Sequence, residues 1–336
     1  MSVSMLAPVR ISMPLVFRGN GQVCSKPAWL VCAVATVGLL LGCLVTGIRF
    51  GMWHDAGKLL ALNACLYIAV LLLTSRKMLA LATAIDAYIV MSTIAFVAPL
   101  LNCILALISG PLRDDMLVSF DHALGFSWLD AALWFREHPT LTYLMCHAYA
   151  SIFWQAWILV LSLALVKPES GRHFTSSLSV ALAITTVLFP FVPAVGGYVY
   201  HGLTAAEFPG VLMATSWNFP QVLMRAREGA IAVLDLTCYD GLIAFPSFHA
   251  TTAVVLGYFW WQVPVVRYPA VVLNCAMVIS TIPIGSHYLA DVLGGSAVAV
   301  VSIWFMARYH RQERRTDRTQ AESPRETETV RGAAAL

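Results

Sequence analysis

The strongest constraint on this chain is a succession of long apolar runs broken by short clusters of charge. A helix needs about 20 apolar residues to cross a bilayer. Eight runs meet or approach that length: 28–49, 58–74, 79–108, 139–166, 174–194, 247–263, 268–284 and 287–308. The sixth and seventh are short. Hydrocarbon offers no partner for backbone N–H and C=O groups, so runs of this kind fold as helices that satisfy themselves. Charged residues make up 12% of the 336-residue chain, against about 25% in soluble domains. The sequence predicts an all-α polytopic bundle of about eight transmembrane helices. It excludes an ordinary soluble domain, shows no internal repeat, and carries nothing that points to nucleic acid.

Lysine and arginine set the orientation of such a bundle. With the N-terminus inside, 15 of the 21 basic residues fall in inner segments and six in outer ones. The expected layout is a cytoplasmic N-terminal tail over 1–27, two added helices over 28–78, a six-helix core over 79–308, and a disordered, charged cytoplasmic tail over 309–336. The N-terminal tail has no cleavable signal pattern. The core carries two long external loops, 110–138 and 195–246. The first interleaves aspartates with aromatics, which suggests helices lying on the membrane surface. The second holds Gly196-Gly197, His201, Arg225 and Arg227 and is long enough to act as a lid. The membrane expected is a plasma or inner membrane.

Most of the eight cysteines fall inside apolar runs, and only Cys238 lies in a long polar loop. No disulfide is expected, because Cys238 has no evident partner. No Cys/His spacing suggests a metal, and no cofactor is implied.

Two short stretches carry the chemistry. One is Ala244-Phe245-Pro246-Ser247-Phe248-His249-Ala250; the other is Gly285-Ser286-His287-Tyr288-Leu289-Ala290-Asp291. Each opens an apolar run, with a serine, Ser247 or Ser286, where a helix N-cap is expected. Each places a histidine in the first helical turn, where free N–H groups and the dipole attract anions such as phosphate. Asp291 follows His287 by four residues, one helical turn away on the same face. Taken singly, His249 reads as well as a polar residue at a membrane interface, and His287–Asp291 as a structural pair. Both emerge on the external side of a topology counted without them, and together they favour function.

The chemistry that suits these groups is phosphoryl transfer through a covalent histidine. A neutral imidazole attacks phosphorus, and Asp291 fixes its tautomer and stabilises the cation formed. The second histidine protonates the leaving oxygen and later takes a proton from the acceptor. Helix-start amides and Ser247 are candidates to hold the phosphate oxygens.

Pro246-Ser247-Phe248-His249 resembles the second motif, Pro-Ser-Gly-His, of the type 2 phosphatidic acid phosphatase superfamily. Ser280 with His287 and Asp291 resembles its third motif, Ser-Arg-x5-His-x3-Asp. The resemblance covers about two thirds of the chain. It implies a six-helix core, His287 as nucleophile, His249 as acid and base, and no metal. Two charged positions of the family pattern are missing. Thr281 stands at the third-motif arginine, and Phe189-Pro190-Phe191-Val192-Pro193-Ala194 stands where the first motif, Lys-x6-Arg-Pro, belongs. The Phe-Pro-x-x-Pro, Pro-Ser-x-His and His-Tyr-x-x-Asp segments are similar to those of the inositol-phosphorylceramide and sphingomyelin synthase branch. That branch implies an integral-membrane lipid phosphotransferase acting on a phospholipid or lipid phosphate. Arg225, Arg227 and His201 become candidates for the missing phosphate charge, although each reads equally as a solvated loop residue.

Other polar residues have plain readings. Asp86 is expected to be structurally paired. His147, Tyr149 and Gln155 either line a cavity or make inter-helix hydrogen bonds. Asp121-His122-Ala123-Leu124-Gly125 also resembles the same branch, and a turn is expected there. A phosphatase that uses water as acceptor shares the covalent intermediate and stays open as an alternative. A non-catalytic lipid transporter is a third reading, without the repeat that transporters usually show.

Overall fold

The computed structural model describes residues 23–212 and 215–333. The apolar runs become helices almost one for one. The first three are α1 (Lys26–Thr46), α2 (Trp53–Ser75) and α3 (Leu79–Leu107). The first long loop folds as α4 (Asp114–Ala123) and α5 (Trp128–Glu137), the two short helices its pattern implies. The fourth run divides into α6 (Pro139–Ala150) and α7 (Ile152–Val166), bent by 48° at Ser151. Then comes α8 (Pro168–Leu188), ending in a single 3-10 turn at Phe189–Phe191. The second long loop holds α9 (Gly197–Tyr200) and α10 (Thr215–Arg227). The chain closes with α11 (Phe248–Trp260), α12 (Arg267–Ser280) and α13 (Leu289–Ala333). The strand content among the described residues is one parallel pairing, β1 (Arg49–Phe50) with β2 (Val233–Leu234). It ties the α1–α2 turn to the second loop.

Five helices are long and apolar enough to cross a membrane: α1, α2, α3, α8 and α13; the bent pair α6–α7 makes a sixth. The expected sixth and seventh spans are α11 and α12, of 13 and 14 residues. These are shorter than the bilayer core requires of a straight helix. They form an antiparallel hairpin beside α13 instead. Leucines and valines of α1 and α2 face outward, Val45 at 84% exposure among them. So do Val300, Val301, Trp304 and Phe305 on α13. Such a surface is stable only against hydrocarbon. The molecule is an integral membrane protein with an all-α polytopic fold.

Inside, Leu159, Leu163, Phe174, Leu256, Phe259 and Met277 form a core joining α7, α8, α11 and α12. Asp86 is paired as expected, accepting a hydrogen bond from Trp29 Nε1 at 2.9 Å. Gln155 takes the inter-helix reading, accepting from Asn274 Nδ2 at 2.8 Å.

Cys238 shares a buried apolar cluster with Cys103 of α3, and both thiols are free. Beyond residue 309 α13 continues to Ala333. The first turns of that stretch have partners on α8, which keep the helix going past the apolar run. His310 Nε2 meets Ser176 Oγ at 3.1 Å, Glu313 pairs with Arg172 at 3.5 Å, and Arg314 pairs with Glu169 at 2.7 Å.

Candidate active site

The two histidine stretches come together because α11 and α13 start side by side. Ser247 is the N-cap of α11, as its position predicts, its hydroxyl accepting from Ala250 N at 3.3 Å. The Ser247 N–H donates to Asp291 O at 3.0 Å, and Thr251 Oγ1 donates to Gly295 O at 2.9 Å. A Cβ at Gly295 would lie 2.3 Å from Ser247 O, so this approach requires glycine.

The start of α13 is built differently from the expectation. Ser286 is not its N-cap. It sits at φ 58°, and the helix begins at Leu289. The Ser286 hydroxyl and carbonyl both face the second loop, accepting from Tyr198 N and Gly197 N at 3.1 Å each. The cap comes from 168 residues away in sequence. Asp121 on α4 accepts from Leu289 N and Ala290 N, both at 2.8 Å. Asp121 also closes the expected turn, its carbonyl accepting from Phe126 N at 2.9 Å. Asp114 does a similar service one residue from the histidine. It accepts from Tyr288 Oη at 2.9 Å and from the amides of Val195 and Gly196. Burial raises the Asp114 carboxyl above its ordinary pKa, and these hydrogen bonds oppose the rise.

His287 Nδ1 lies 3.3 Å from Asp291 Oδ2, and both side chains are buried. The same Oδ2 accepts from Tyr288 N at 2.9 Å, which fixes the carboxylate. Asp291 thus meets His287 as the spacing suggests, but His287 precedes α13 and does not lie in its first turn. With Nδ1 held, Nε2 is the nitrogen left for chemistry. His249 stacks on Tyr149 with ring centres 3.9 Å apart and planes 13° off parallel. Its Nε2 is buried with no hydrogen-bond partner among the described residues. A buried unpaired polar atom costs about 1–3 kcal/mol.

Both histidines line one cavity of about 480 Å³. Its walls come from α3, the α6–α7 bend and the second loop, and they are largely apolar. Asn102, Tyr149, Ser216, Tyr239, Asp240 and Ser286 are the other polar side chains on it. No lysine or arginine lines it among the described residues. A second apolar space of about 280 Å³ shares Ile94, Ala95, Phe153, Leu182 and Phe248 with it. The cavity thus runs on between helices.

The other predicted residues lie elsewhere. Ser247 is fully buried and spent on capping. Arg227 donates to Ser109 Oγ and to Gly110 O. Arg225 is exposed on α10. His201 stacks on Trp128, with ring centres 5.6 Å apart, where burial holds its imidazole below the ordinary pKa. The helix-start amides at α13 are taken by Asp121 and Asp291. At α11, the amides of Phe248 and His249 have no acceptor among the described residues. No set of three or more His, Cys, Asp and Glu side chains among the described residues is placed to hold a metal.

The sequence reading missed the positioning roles of Asp114 and Asp121 and the stacking role of Tyr149. Asp121 lies in a stretch that resembled the family branch, which was the available signal.

No curated protein and no solved structure matches the chain. The sequence model of the PAP2 superfamily, the type 2 phosphatidic acid phosphatases, matches residues 115–305. The matched range runs from α4 to the middle of α13 and takes in both histidine stretches with Asp121 and Asp291, two of the carboxylates that hold the second. It spans more than half of the chain, which therefore belongs to the PAP2 superfamily, as an integral-membrane enzyme of the phosphatase or phosphotransferase type.

Proposed function

We propose that the chain is a lipid phosphotransferase working through a phosphohistidine. The observation that carries this is the pairing of His287 Nδ1 with Asp291 Oδ2, with His287 and His249 on the wall of one apolar cavity. His287 Nε2 attacks phosphorus, and the bond to the donor's leaving oxygen breaks. His249 gives that oxygen a proton. The acceptor's hydroxyl then attacks the phosphohistidine and loses its proton to His249, returning both rings to their starting states. Asp291 holds the tautomer and stabilises the imidazolium character that builds on His287. The unpaired Nε2 of His249 is a group that a substrate oxygen would satisfy. The amides of Phe248 and His249 are suited to the phosphate oxygens in place of the family's missing cations.

Cavity chemistry favours the donor class. A phosphate monoester carries close to two negative charges near neutral pH, whereas a diester carries one. A lining without lysine or arginine suits the single charge of a phospholipid diester. This supports the likeness to the inositol-phosphorylceramide and sphingomyelin synthase branch, with a lipid or alcohol hydroxyl as acceptor. The reading also places the cavity on the external face, following the charge distribution.

The test is incubation of purified protein with a phospholipid labelled at phosphorus, with and without a long-chain alcohol. A new phosphorylated lipid that depends on the alcohol is expected. Release of the water-soluble phosphorylated head group, unaffected by the alcohol, would instead make water the acceptor and establish a hydrolase.

A further inference from the structure

The end of the bundle opposite the histidines holds a second polar cleft that the proposed reaction does not use. Twenty-one residues of α13 separate Leu289 from His310, about 30 Å of helix. There the α7–α8 junction, the last turn of α11 and α13 enclose about 500 Å³. Lys167, Arg172, Arg311 and Arg314 line it. Two carboxylates answer them: Glu169 pairs with Arg314, and Glu313 with Arg172. Among the described residues, four fixed cations against two carboxylates leave a surplus of two, and Lys167 and Arg311 make neither of the two ion pairs.

The cleft is also at the edge of the hydrocarbon. Tyr258 and Trp261, about half exposed, form one wall. Aromatic rings of this kind sit at headgroup level. Just below them α13 presents its outward apolar face of Val300, Val301, Trp304 and Phe305. A ligand in the cleft therefore has cations on one side and lipid chains on the other. Basic pockets between membrane helices take phosphate-bearing headgroups for these reasons.

We propose that this cleft is a binding site for a phosphate-bearing anion, with Lys167 and Arg311 supplying the uncompensated charge and an anionic phospholipid headgroup as the occupant its position favours. Glu169 and Glu313 keep Arg172 and Arg314 in place, so the site is held open by the contacts that join α13 to α8. An occupant would bridge those two helices.

The experiment uses the full chain in detergent, with retained lipid counted by native mass spectrometry. Phosphatidylglycerol, phosphatidylcholine and inorganic phosphate are the probes. One variant carries Lys167→Gln with Arg311→Gln, which leaves both ion pairs intact. A second, Arg76→Gln with Lys77→Gln, removes the same charge at another turn. The wild type and the second variant should retain phosphatidylglycerol over phosphatidylcholine, and the first should bind it at least about tenfold more weakly. If inorganic phosphate competes for the cleft in the wild type and not in the first variant, with no preference between lipids, the anion site stands and its source is the free ion. Equal retention by the first variant and the wild type overturns the proposal. So does an equal loss in the second variant.

Discussion

His287 and His249 differ in what holds them, and their expected variants differ accordingly. His287, just ahead of α13, has the Asp291 carboxylate of that helix at 3.3 Å; His249 has a stacked ring and an Nε2 with no partner among the described residues. His287→Ala should abolish turnover and the label that quenching without acid traps on protein. Asp291→Asn keeps the shape but reverses the hydrogen-bond preference at Nδ1. It should lower kcat by about 10²–10⁴, as a wrong tautomer does in serine-protease triads. Substantial turnover in His287→Ala would reassign the nucleophile. Asp121 gives a positioning test of a different kind. Asp121→Ala strips the acceptor from the buried amide of Ala290, at a cost of about 1–3 kcal/mol, and from the half-buried amide of Leu289. It should lower both melting temperature and kcat, while Asp121→Asn, which keeps one acceptor oxygen, should recover part of each. A kcat unchanged in Asp121→Ala would show that the cap does not aim His287. The His287–Asp291 pair was legible in the sequence because an i, i+4 relation is local. Asp121 and Tyr149 were not, because their partners are 168 and 100 residues away. Spacing alone carries no record of such contacts.

Helices were legible as elements, but their ends and bends were less so. Hydropathy reports the length of an apolar run and is blind to a break inside it. The run at 139–166 has no glycine inside it, and its single proline, Pro139, opens α6. The chain still bends by 48° at Ser151, whose hydroxyl donates to Ala148 O and accepts from Gln155 Nε2. That bend puts Tyr149 beside His249. The start of α13 misled for a related reason. Serine is a common N-cap, but Ser286 is drawn to the second loop by Tyr198 and Gly197, and a distant aspartate caps in its place. What joins α11 and α13 is the close approach at Gly295. Gly295→Ala would place a methyl 2.3 Å from Ser247 O, so the helices must separate. Since Ser247 precedes the first turn that carries His249, turnover should fall by at least about tenfold. Gly257→Ala meets only Asn274 Cβ at 3.7 Å and should leave turnover unchanged. Comparable activity in both variants would show that the α11–α13 separation is not critical.

For the whole molecule, the charge count and the geometry make the same division. Arg172, Arg311 and Arg314 gather at one end of the bundle, and the two histidines lie at the other. The count put the first end in the cytoplasm with 15 of 21 basic residues, and the second outside. The bundle was legible at this scale because a bilayer forces the helix count to follow the apolar runs. The α11–α12 hairpin departs from it in length, with helices of 13 and 14 residues. Orientation is the remaining physical choice, and it sets which leaflet supplies the donor. Cys65 and Cys275 are exposed, so both are first replaced by serine. Ala206 and Gln312, exposed at opposite ends of the molecule, then accept single cysteines. The cysteine of Ala206→Cys should react with an impermeant thiol reagent in intact cells. That of Gln312→Cys should react only after the membrane is permeabilised. The reverse pattern would turn the histidine cavity toward the cytoplasm. Donor and acceptor would then come from the inner leaflet, and the basic cleft would face the outer one.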